Sequence, residues 1–284
     1  MAEQVIISNG HIAAEISALG AEIKSIKKNG EEIMWQGDPS VWTGRAPLLF
    51  PICGGLRDDK FTFDGKEYIL EKHGFARHRE FETEKITDNS VTFLLKSDAE
   101  TLKQYPFMFE LRVTYTIADG TVEVRYDVTD TDSKTMYFSI GAHEAYACPN
   151  GIEEYSVIFD KPETLNARIL NGNLLEYKTV PIMENARELP LKKDYFAVDA
   201  LVFSDINSRK VTLKNNRTNA SIDVSFDGFE YFLLWTKPNG NYICIEPWCG
   251  IQDFVDSDYD LTHKKGIMAI KPGETDTRIH TIAL

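Results

Sequence analysis

The segment Phe109–Thr129, FELRVTYTIADGTVEVRYDVT, carries the strongest secondary-structure signal of the chain. Apolar and polar residues alternate on both sides of the dipeptide Asp119-Gly120, with Leu111, Val113, Tyr115 and Ile117 before it and Val122, Val124, Tyr126 and Val128 after it. A period of two places alternate side chains on opposite faces of a strand, and Asp-Gly favours a tight two-residue turn. The segment therefore predicts an antiparallel β-hairpin with one buried face.

Shorter versions of this pattern occur along the rest of the chain. Turn dipeptides interrupt three of them, at Asn9-Gly10 within Val5–Ile12, at Asn29-Gly30 within Ile23–Trp35 and at Asp64-Gly65 within Phe61–Tyr68, and four more are typical of single strands: Ser90–Leu95, Val211–Leu213, Ser221–Phe226 and Tyr231–Trp235. Helical periodicity is scarce. Ser97–Tyr105 predicts one short helix, capped by Ser97 or Asp98 and ended by Pro106, and Arg187–Tyr195 suggests one further turn.

These patterns predict an all-β fold, a large antiparallel β-sandwich with few short helices. Hydrophobic residues make up 43% of the chain, which is enough for a full core. No Pro/Gly/Ser-rich linker, low-complexity stretch or internal repeat divides the 284 residues. We therefore expect residues 1–284 to form a single domain, a length that is ordinary for all-β proteins.

The charge balance disfavours several classes of partner. The chain has 31 Lys and Arg against 44 Asp and Glu, a net charge of −13, so neither nucleic acid nor an anionic membrane surface is expected to bind it. The N-terminal residues lack the basic and apolar regions of a signal peptide, and no apolar run is long enough to span a bilayer. We expect a cytoplasmic protein whose four scattered cysteines are reduced thiols. The sequence contains no indication of its oligomeric state.

Three segments place titratable residues among glycine, proline and aromatic residues. HGFAR contains His73 and Arg77, IGAHEAYACP contains His143 and Glu144, and ICIEPWCG contains Glu246. A single histidine beside glycine is more often structural than catalytic. Glu246 favours function more strongly, because a carboxylate in an apolar strand is costly to bury unless it is paired or used in chemistry.

The spacing of these residues gives little support to a metal site or to a nucleophile. His143-Glu144 is not followed by a second histidine at zinc-protease spacing, and Cys244 and Cys249 are better explained as small core residues. The chain has no Gly-x-Ser-x-Gly elbow, no P-loop and no dinucleotide-binding fingerprint. What remains is acid–base chemistry by a histidine and a carboxylate, with no metal and no cofactor.

Taken in order, the motifs resemble the aldose 1-epimerases, the galactose mutarotase-like proteins, and a divergent branch of them in particular. The resemblance covers almost the whole chain, through PICGGLRDDKFTFDGKEY (51–68), HGFAR (73–77), GAHEAYACP (141–149), VDALVF (198–203) and CIEPWCG (244–250). Members of that family are large antiparallel β-sandwiches that interconvert the α and β anomers of a free sugar without a cofactor. The resemblance thus implies the same fold class and a small-molecule sugar as substrate.

The resemblance also implies roles for individual residues. Glu246 corresponds to the family's base and His143 to its acid, while His73 would hold or polarise the same region. Asp199 and Arg57 are expected to bind sugar hydroxyls. Trp248, with Trp235 and Phe75 as further candidates, could offer an aromatic face to the sugar. Arg77 either braces the bend at His73 through a buried ion pair or is solvated.

One residue, Glu144, separates the chain from many relatives, and both the function and the substrate leave alternatives open. Glu144 stands where many relatives have proline; it would raise the pKa of His143 if it pointed inward, whereas adjacent strand residues point to opposite faces. A carbohydrate-binding protein without turnover remains an alternative, as does a glycoside-modifying enzyme that uses Glu246 with Asp199 or Glu144. A phosphorylated sugar would require converging cations, for which Arg57, Arg77 and Lys237 are candidates.

Overall fold

The structure of the protein is a computed structural model that describes residues 2–284, of which 52% form strands and 7% helices. In chain order the strands are β1 (Gln4–Ser8), β2 (Ile12–Ser17), β3 (Glu22–Lys28), β4 (Glu31–Glu32), β5 (Lys60–Phe63), β6 (Lys66–Ile69), β7 (Glu82–Ile86), β8 (Ser90–Lys96), β9 (Phe109–Ala118), β10 (Thr121–Asp130), β11 (Met136–Phe138), β12 (Ile140–Gly141), β13 (Glu144–Ala147), β14 (Tyr155–Asn171), β15 (Leu174–Pro190), β16 (Leu201–Phe203), β17 (Lys210–Asn215), β18 (Ser221–Ser225), β19 (Tyr231–Trp235), β20 (Tyr242–Cys249), β21 (Met268–Ile270) and β22 (Thr275–Ala283). The helices are α1 (Thr101–Gln104) and the short 3-10 helices Arg57–Asp59, Ala76–His78, Ile152–Glu154, Lys193–Phe196 and Leu261–His263. The predicted all-β class is confirmed.

The hairpin predicted from Phe109–Thr129 is formed by β9 and β10, which pair in register from Ala118↔Thr121 to Phe109↔Asp130. Buried and partly exposed residues alternate along both strands, as the sequence pattern requires. Asp119 and Gly120 both have positive φ, at 45° and 81°. Positive φ at both central residues is the requirement of the type I′ turn that matches the twist of a two-residue hairpin.

Antiparallel pairing joins all the strands into two large sheets and three small ones. The nine-stranded sheet has the order β15-β14-β17-β18-β22-β10-β9-β8-β7, and the five-stranded sheet has the order β12-β20-β19-β16, with β13 also paired to β20. The small sheets are β1-β2-β3-β4, β5-β6 and β11-β21. The main hydrophobic cluster contains residues of both large sheets, such as Val113 and Val124 of the first and Ile243 and Ile245 of the second.

The strand β20 is buried on both of its faces. Ile243 and Ile245 face the main core, whereas Tyr242 and Cys244 join a separate apolar cluster on the opposite face. This opposite face, called here the outer face of the five-stranded sheet, also carries Glu246 because residues two apart share a face. The sheet therefore supplies a rigid, dry support for whatever lies on its outer face.

The two helical predictions have different outcomes. A helix does form within Ser97–Tyr105, as α1, and the Asp98 side chain accepts hydrogen bonds from the N–H groups of Glu100 and Thr101. The turn suggested for Arg187–Tyr195 is wrong over its first half, since residues up to Pro190 belong to β15. A 3-10 helix begins only at Lys193. In residues 2–284 we found no helix with the length and apolar character that crossing a membrane would require.

Candidate active site

A pocket of about 730 Å³ opens on the outer face of the five-stranded sheet. Its lining brings together five of the residues singled out from the sequence, although they span positions 73 to 248: His73, His143, Asp199, Glu246 and Trp248. Arg77, Trp235 and Lys237 line the same pocket. Residues from distant segments thus form one concave surface, which is the usual form of a small-molecule site.

His73 lies in a sharp bend held by backbone contacts. Its φ is 69° and that of Gly74 is 67°, and a Cβ on Gly74 would lie only 2.4 Å from the Phe50 carbonyl oxygen, so only glycine fits there. The N–H of His73 donates to the Gly54 carbonyl at 2.9 Å, and the N–H of Gly54 donates to His73 Nδ1 at 3.1 Å. Because Nδ1 accepts, the neutral ring carries its proton on Nε2, where it can donate a hydrogen bond.

His143 and Glu246 meet at the floor of the pocket. Glu144 pairs with Ile245 in the antiparallel ladder, so the preceding residue, His143, lies opposite Glu246. His143 Nε2 lies 3.4 Å from Glu246 Oε2. Both residues are buried, at 8% and 1% exposure, and the rings of Trp42 and Trp235 pack against His143.

Burial controls the protonation of these groups. Loss of solvation raises the pKa of Glu246 well above its ordinary value, although the positive charge of Lys72 acts in the other direction. The same effect lowers the pKa of His143 to about 3 and holds that of His73 well below its usual range. Around neutral pH, one proton is therefore shared by His143 and Glu246, and desolvation favours its residence on the carboxyl.

Three basic residues are among those that line the pocket. Lys72 Nζ lies 3.9 Å from Asp199 Oδ2, and Arg77 and Lys237 line the same pocket.

Arg77 is neither in a buried ion pair nor fully solvated. It braces the bend at His73 by donating from Nη2 to the Lys72 carbonyl at 2.9 Å and from Nε to His78 Nε2 at 3.0 Å.

Two of the sequence-predicted binding residues do not line the pocket. The Arg57 guanidinium donates to the Ser257 carbonyl at 2.8 Å and lies over the Tyr259 ring, and Arg57 is not among the residues that line the pocket. Phe75 packs in the core against Phe50 and Phe109. The structure thus gives neither residue a place in the pocket lining, which does include Trp248 and Trp235.

Glu144 points away from His143, as adjacent strand residues do, but not toward solvent. It is 3% exposed, and its Oε1 lies 3.3 Å from Nε2 of the fully buried His280. The sequence left two orientations open for Glu144, one toward His143 and one outward from the sheet. Glu144 does lie on the face opposite to His143, but it is not exposed there. Both faces of this sheet are covered, and the face that carries Glu144 lies in the interior of the sandwich.

Several residues that were not predicted from the sequence also line the pocket, among them Trp42, Lys72 and Gln252. Gln252 is 5% exposed, and its Oε1 has no hydrogen-bond partner within residues 2–284. The only feature of the sequence that could have indicated Gln252 as a pocket residue is its position, two residues after the CIEPWCG motif. His143, Cys244 and Glu246 also bring possible metal ligands within 4.8 Å of one another, a grouping that the linear spacing did not predict.

Comparison with known proteins identifies the family. Residues 3–278 match the sequence model of the aldose 1-epimerase family. The chain is 34% identical over 293 aligned positions to the plasmid-encoded protein LacX of Lactococcus lactis subsp. lactis, with 98% of each chain covered.

Solved structures agree over the whole chain. The galactose mutarotase related enzyme from Lactobacillus acidophilus superimposes with a TM-score of 0.94 at 35% identity, covering 99% of this chain and 97% of that one. A galactose mutarotase-like protein from Lactobacillus casei gives a TM-score of 0.93 at 28% identity, with 99% of both chains covered. By its sequence and by its fold, the chain belongs to the aldose 1-epimerase family.

Proposed function

We propose that this protein is a mutarotase that interconverts the α and β anomers of an aldose or an aldose phosphate by acid–base catalysis. The observation that carries the proposal is the His143 Nε2–Glu246 Oε2 contact of 3.4 Å at the floor of a pocket large enough for a monosaccharide. A carboxylate and an imidazole are costly to bury unless they are used. Binding alone requires no such pair.

The proposed reaction proceeds from the form in which the single proton of the pair lies on His143 and Glu246 is ionised. Glu246 then removes the proton from the C1 hydroxyl while His143 gives its proton to the ring oxygen. The C1–ring-oxygen bond breaks, C1 becomes an aldehyde, and rotation about the C1–C2 bond presents its other face. Ring closure then returns the proton of the ring hydroxyl to His143 and that of Glu246 to the C1 oxygen. The pair ends with the single proton it began with, so no other reactant is required.

The remaining pocket residues have supporting roles in this proposal. His73 Nε2–H can donate to a sugar oxygen, and the Asp199 carboxylate can accept from sugar hydroxyls. Trp235 and Trp248 offer apolar ring surface to the C–H face of a pyranose. The hydrogen bonds with Gly54 fix His73, and Trp235 packs against His143, which favours precise orientation of the reacting carbon.

The cations that line the pocket support a phosphorylated aldose as the substrate. Lys72, Arg77 and Lys237 line one pocket in a protein whose net charge is −13, so their grouping departs from the rest of the composition. Cationic donors are the groups that bind phosphate most strongly.

The test of the proposed function is an anomer-exchange assay, by polarimetry or NMR, over a panel of aldoses and their 6-phosphates. Acceleration above the spontaneous rate supports the proposal, and its absence for every sugar would exclude it. A release of reducing sugar from glycosides would instead support the hydrolase alternative. Glu144 cannot supply the second carboxyl for that alternative because it faces the interior.

Turnover is expected to show no inflection near pH 6.5, the ordinary pKa of histidine. Because burial lowers the pKa of His143 to about 3, its imidazole gains no proton near pH 6.5, and the raised pKa of Glu246 extends the range in which the pair holds one proton. Activity should fall only when the pair gains a second proton in acid or loses its last proton in base. The measurement is the enzyme-catalysed exchange rate at each pH after subtraction of the buffer rate. A titration centred near 6.5 would contradict the assignment.

Exhaustive chelation is expected to leave turnover unchanged, because the proposed steps use only side chains of the chain. The measurement compares the exchange rate before and after dialysis against EDTA, with dialysis against buffer as the control. Loss of turnover that added zinc restores would show that the mechanism is incomplete.

A further inference from the structure

We propose that His143, Cys244 and Glu246 form a binding site for a thiophilic divalent cation such as Zn²⁺, and that its occupation blocks the pocket floor. Cys244 and Glu246 are two residues apart on β20, so their side chains share the outer face of the sheet. His143 faces them from the neighbouring segment. One ligand atom from each residue lies within 4.8 Å of the other two, and all three residues are buried.

The donor set is chemically suited to zinc. An imidazole nitrogen, a thiolate sulfur and a carboxylate oxygen are all established zinc ligands, and the thiolate selects against Mg²⁺ and Ca²⁺, which prefer oxygen. Three protein ligands leave a fourth tetrahedral position, and two of the three, His143 and Glu246, line the pocket. Zinc sites with three protein ligands and one open position are the type that binds a water or another exchangeable ligand.

The distances allow such a site after small side-chain movements. Three atoms separated by 4.8 Å at most can surround an ion that lies about 2.8 Å from each, and bonds of roughly 2.0–2.3 Å require each ligand to move by about half an ångström or more. The nitrogen–oxygen separation of 3.4 Å between His143 and Glu246 already suits two ligands of one ion.

The unused polar atoms of the site point to a ligand. His143 Nδ1 and Glu246 Oε1 are both buried and have no hydrogen-bond partner in the part of the chain that the structure describes. The site could therefore accept an ion without breaking a strong internal hydrogen bond. Because Lys72 and Arg77 line the pocket, entry of a cation should be slow, and binding must be measured after prolonged incubation.

The test uses Co²⁺ as a spectroscopic substitute for Zn²⁺. A Co²⁺ ion bound by a thiolate has near-ultraviolet charge-transfer absorption that one bound only by nitrogen and oxygen lacks. We expect one equivalent of Co²⁺ to produce this band in the wild-type protein and Zn²⁺ to remove it. The band should be absent in Cys244→Ser and retained in Cys148→Ser, a matched control at another buried cysteine. Circular dichroism verifies that each variant is folded, and Cys244→Ala replaces Cys244→Ser if the serine variant is not.

Competition with a chelating dye measures the affinity for Zn²⁺ itself. Cys244→Ser should weaken the affinity for Zn²⁺ by more than 100-fold. Loss of a group that only supports a ligand typically weakens metal affinity by roughly 10- to 100-fold. Absence of the Co²⁺ band in folded wild-type protein, or its persistence in Cys244→Ser, would overturn the proposal, because the cysteine would not be a ligand.

Inhibition is tested by the ratio of turnover with and without Zn²⁺ within each variant. We expect a large decrease in the wild type and in Cys148→Ser, and little change in Cys244→Ser. An unchanged ratio in wild-type protein that shows the Co²⁺ band would overturn the claim that occupation blocks the site. This inhibition rests on the proposed mutarotase function, whereas the absorption band does not. If no sugar turns over but the band forms, the function fails and the metal site stands.

Discussion

Glu246→Gln is expected to lower the enzyme-catalysed rate of anomer exchange by two or more orders of magnitude. Glutamine keeps the size and hydrogen-bonding capacity of the side chain but cannot accept the C1 hydroxyl proton. Positioned proton transfer contributes roughly a hundred- to ten-thousand-fold to rate. Glu246 is 1% exposed and lies 3.4 Å from His143 at the floor of the pocket. His143→Asn should have an effect of similar size.

Sugar binding should survive this change, because the groups proposed to hold the substrate are untouched. A loss confined to kcat indicates an interaction made in the transition state, whereas a rise in KM alone would indicate lost binding. Titration of the variant with sugar by NMR or calorimetry separates the two effects. The fold should also persist, since the substitution creates no cavity.

Glu163→Gln is the matched control for this experiment. Glu163 is also 1% exposed, and its Oε1 accepts from the N–H groups of Asn207 and Ser208, but it does not line the pocket. We expect near-normal turnover from this variant. The assay must subtract spontaneous mutarotation, which is fast in water. Near-normal turnover of Glu246→Gln after that subtraction would refute the mechanism and favour a carbohydrate-binding protein.

The parts of the fold that the sequence predicted are those that depend on local physics. Strict alternation located β9 and β10. The turn dipeptides at residues 29–30, 64–65 and 119–120 adopt positive φ at both positions, whereas at residues 9–10 only Gly10 does. Asparagine, aspartate and glycine tolerate that conformation better than other residues, so the sequence signal and the backbone requirement coincide. Tyr231–Trp235 was also predicted correctly as a strand, although β19 is buried along most of its length.

The longest strands were missed because their pattern is broken. β14 and β15 are 17 residues each, yet their pairing contains four register shifts, and prolines occur within both. Each shift moves the following side chains to the other face, which erases a period-two signal. Long-range pairing stabilises these strands where local propensity does not predict them.

The candidate site shows the same division between local and long-range information. The motifs that contain His73, His143 and Glu246 were visible because unusual polar residues stand among apolar and glycine residues. Their convergence on one pocket, by contrast, depends on the topology of the five-stranded sheet. The displacement of Arg57 could not be predicted, since it depends on Ser257 and Tyr259, two hundred residues later in the chain.

Glu144→Ala is expected to destabilise the protein by about 3 kcal/mol, the upper end of the usual cost of leaving a buried polar group without its partner. Glu144 of β13 and His280 of β22 lie 3.3 Å apart between the two large sheets, and His280 has no exposed surface. The His280 ring also stacks on Tyr126, so it cannot turn toward water when its partner is lost. The substitution adds a cavity to this penalty.

The midpoint of unfolding in denaturant measures this cost, and the melting temperature should fall by roughly 6 °C or more. Glu154→Ala serves as the control, because its pair with Arg217 lies at the surface and should contribute little. The double variant Glu144→Leu, His280→Leu should recover most of the loss, since apolar residues of similar volume replace both partners and leave no polar group unpaired. A Glu144→Ala protein as stable as the wild type would show that His280 is satisfied without the carboxylate, and the two sheets would then be joined at this point by apolar packing alone.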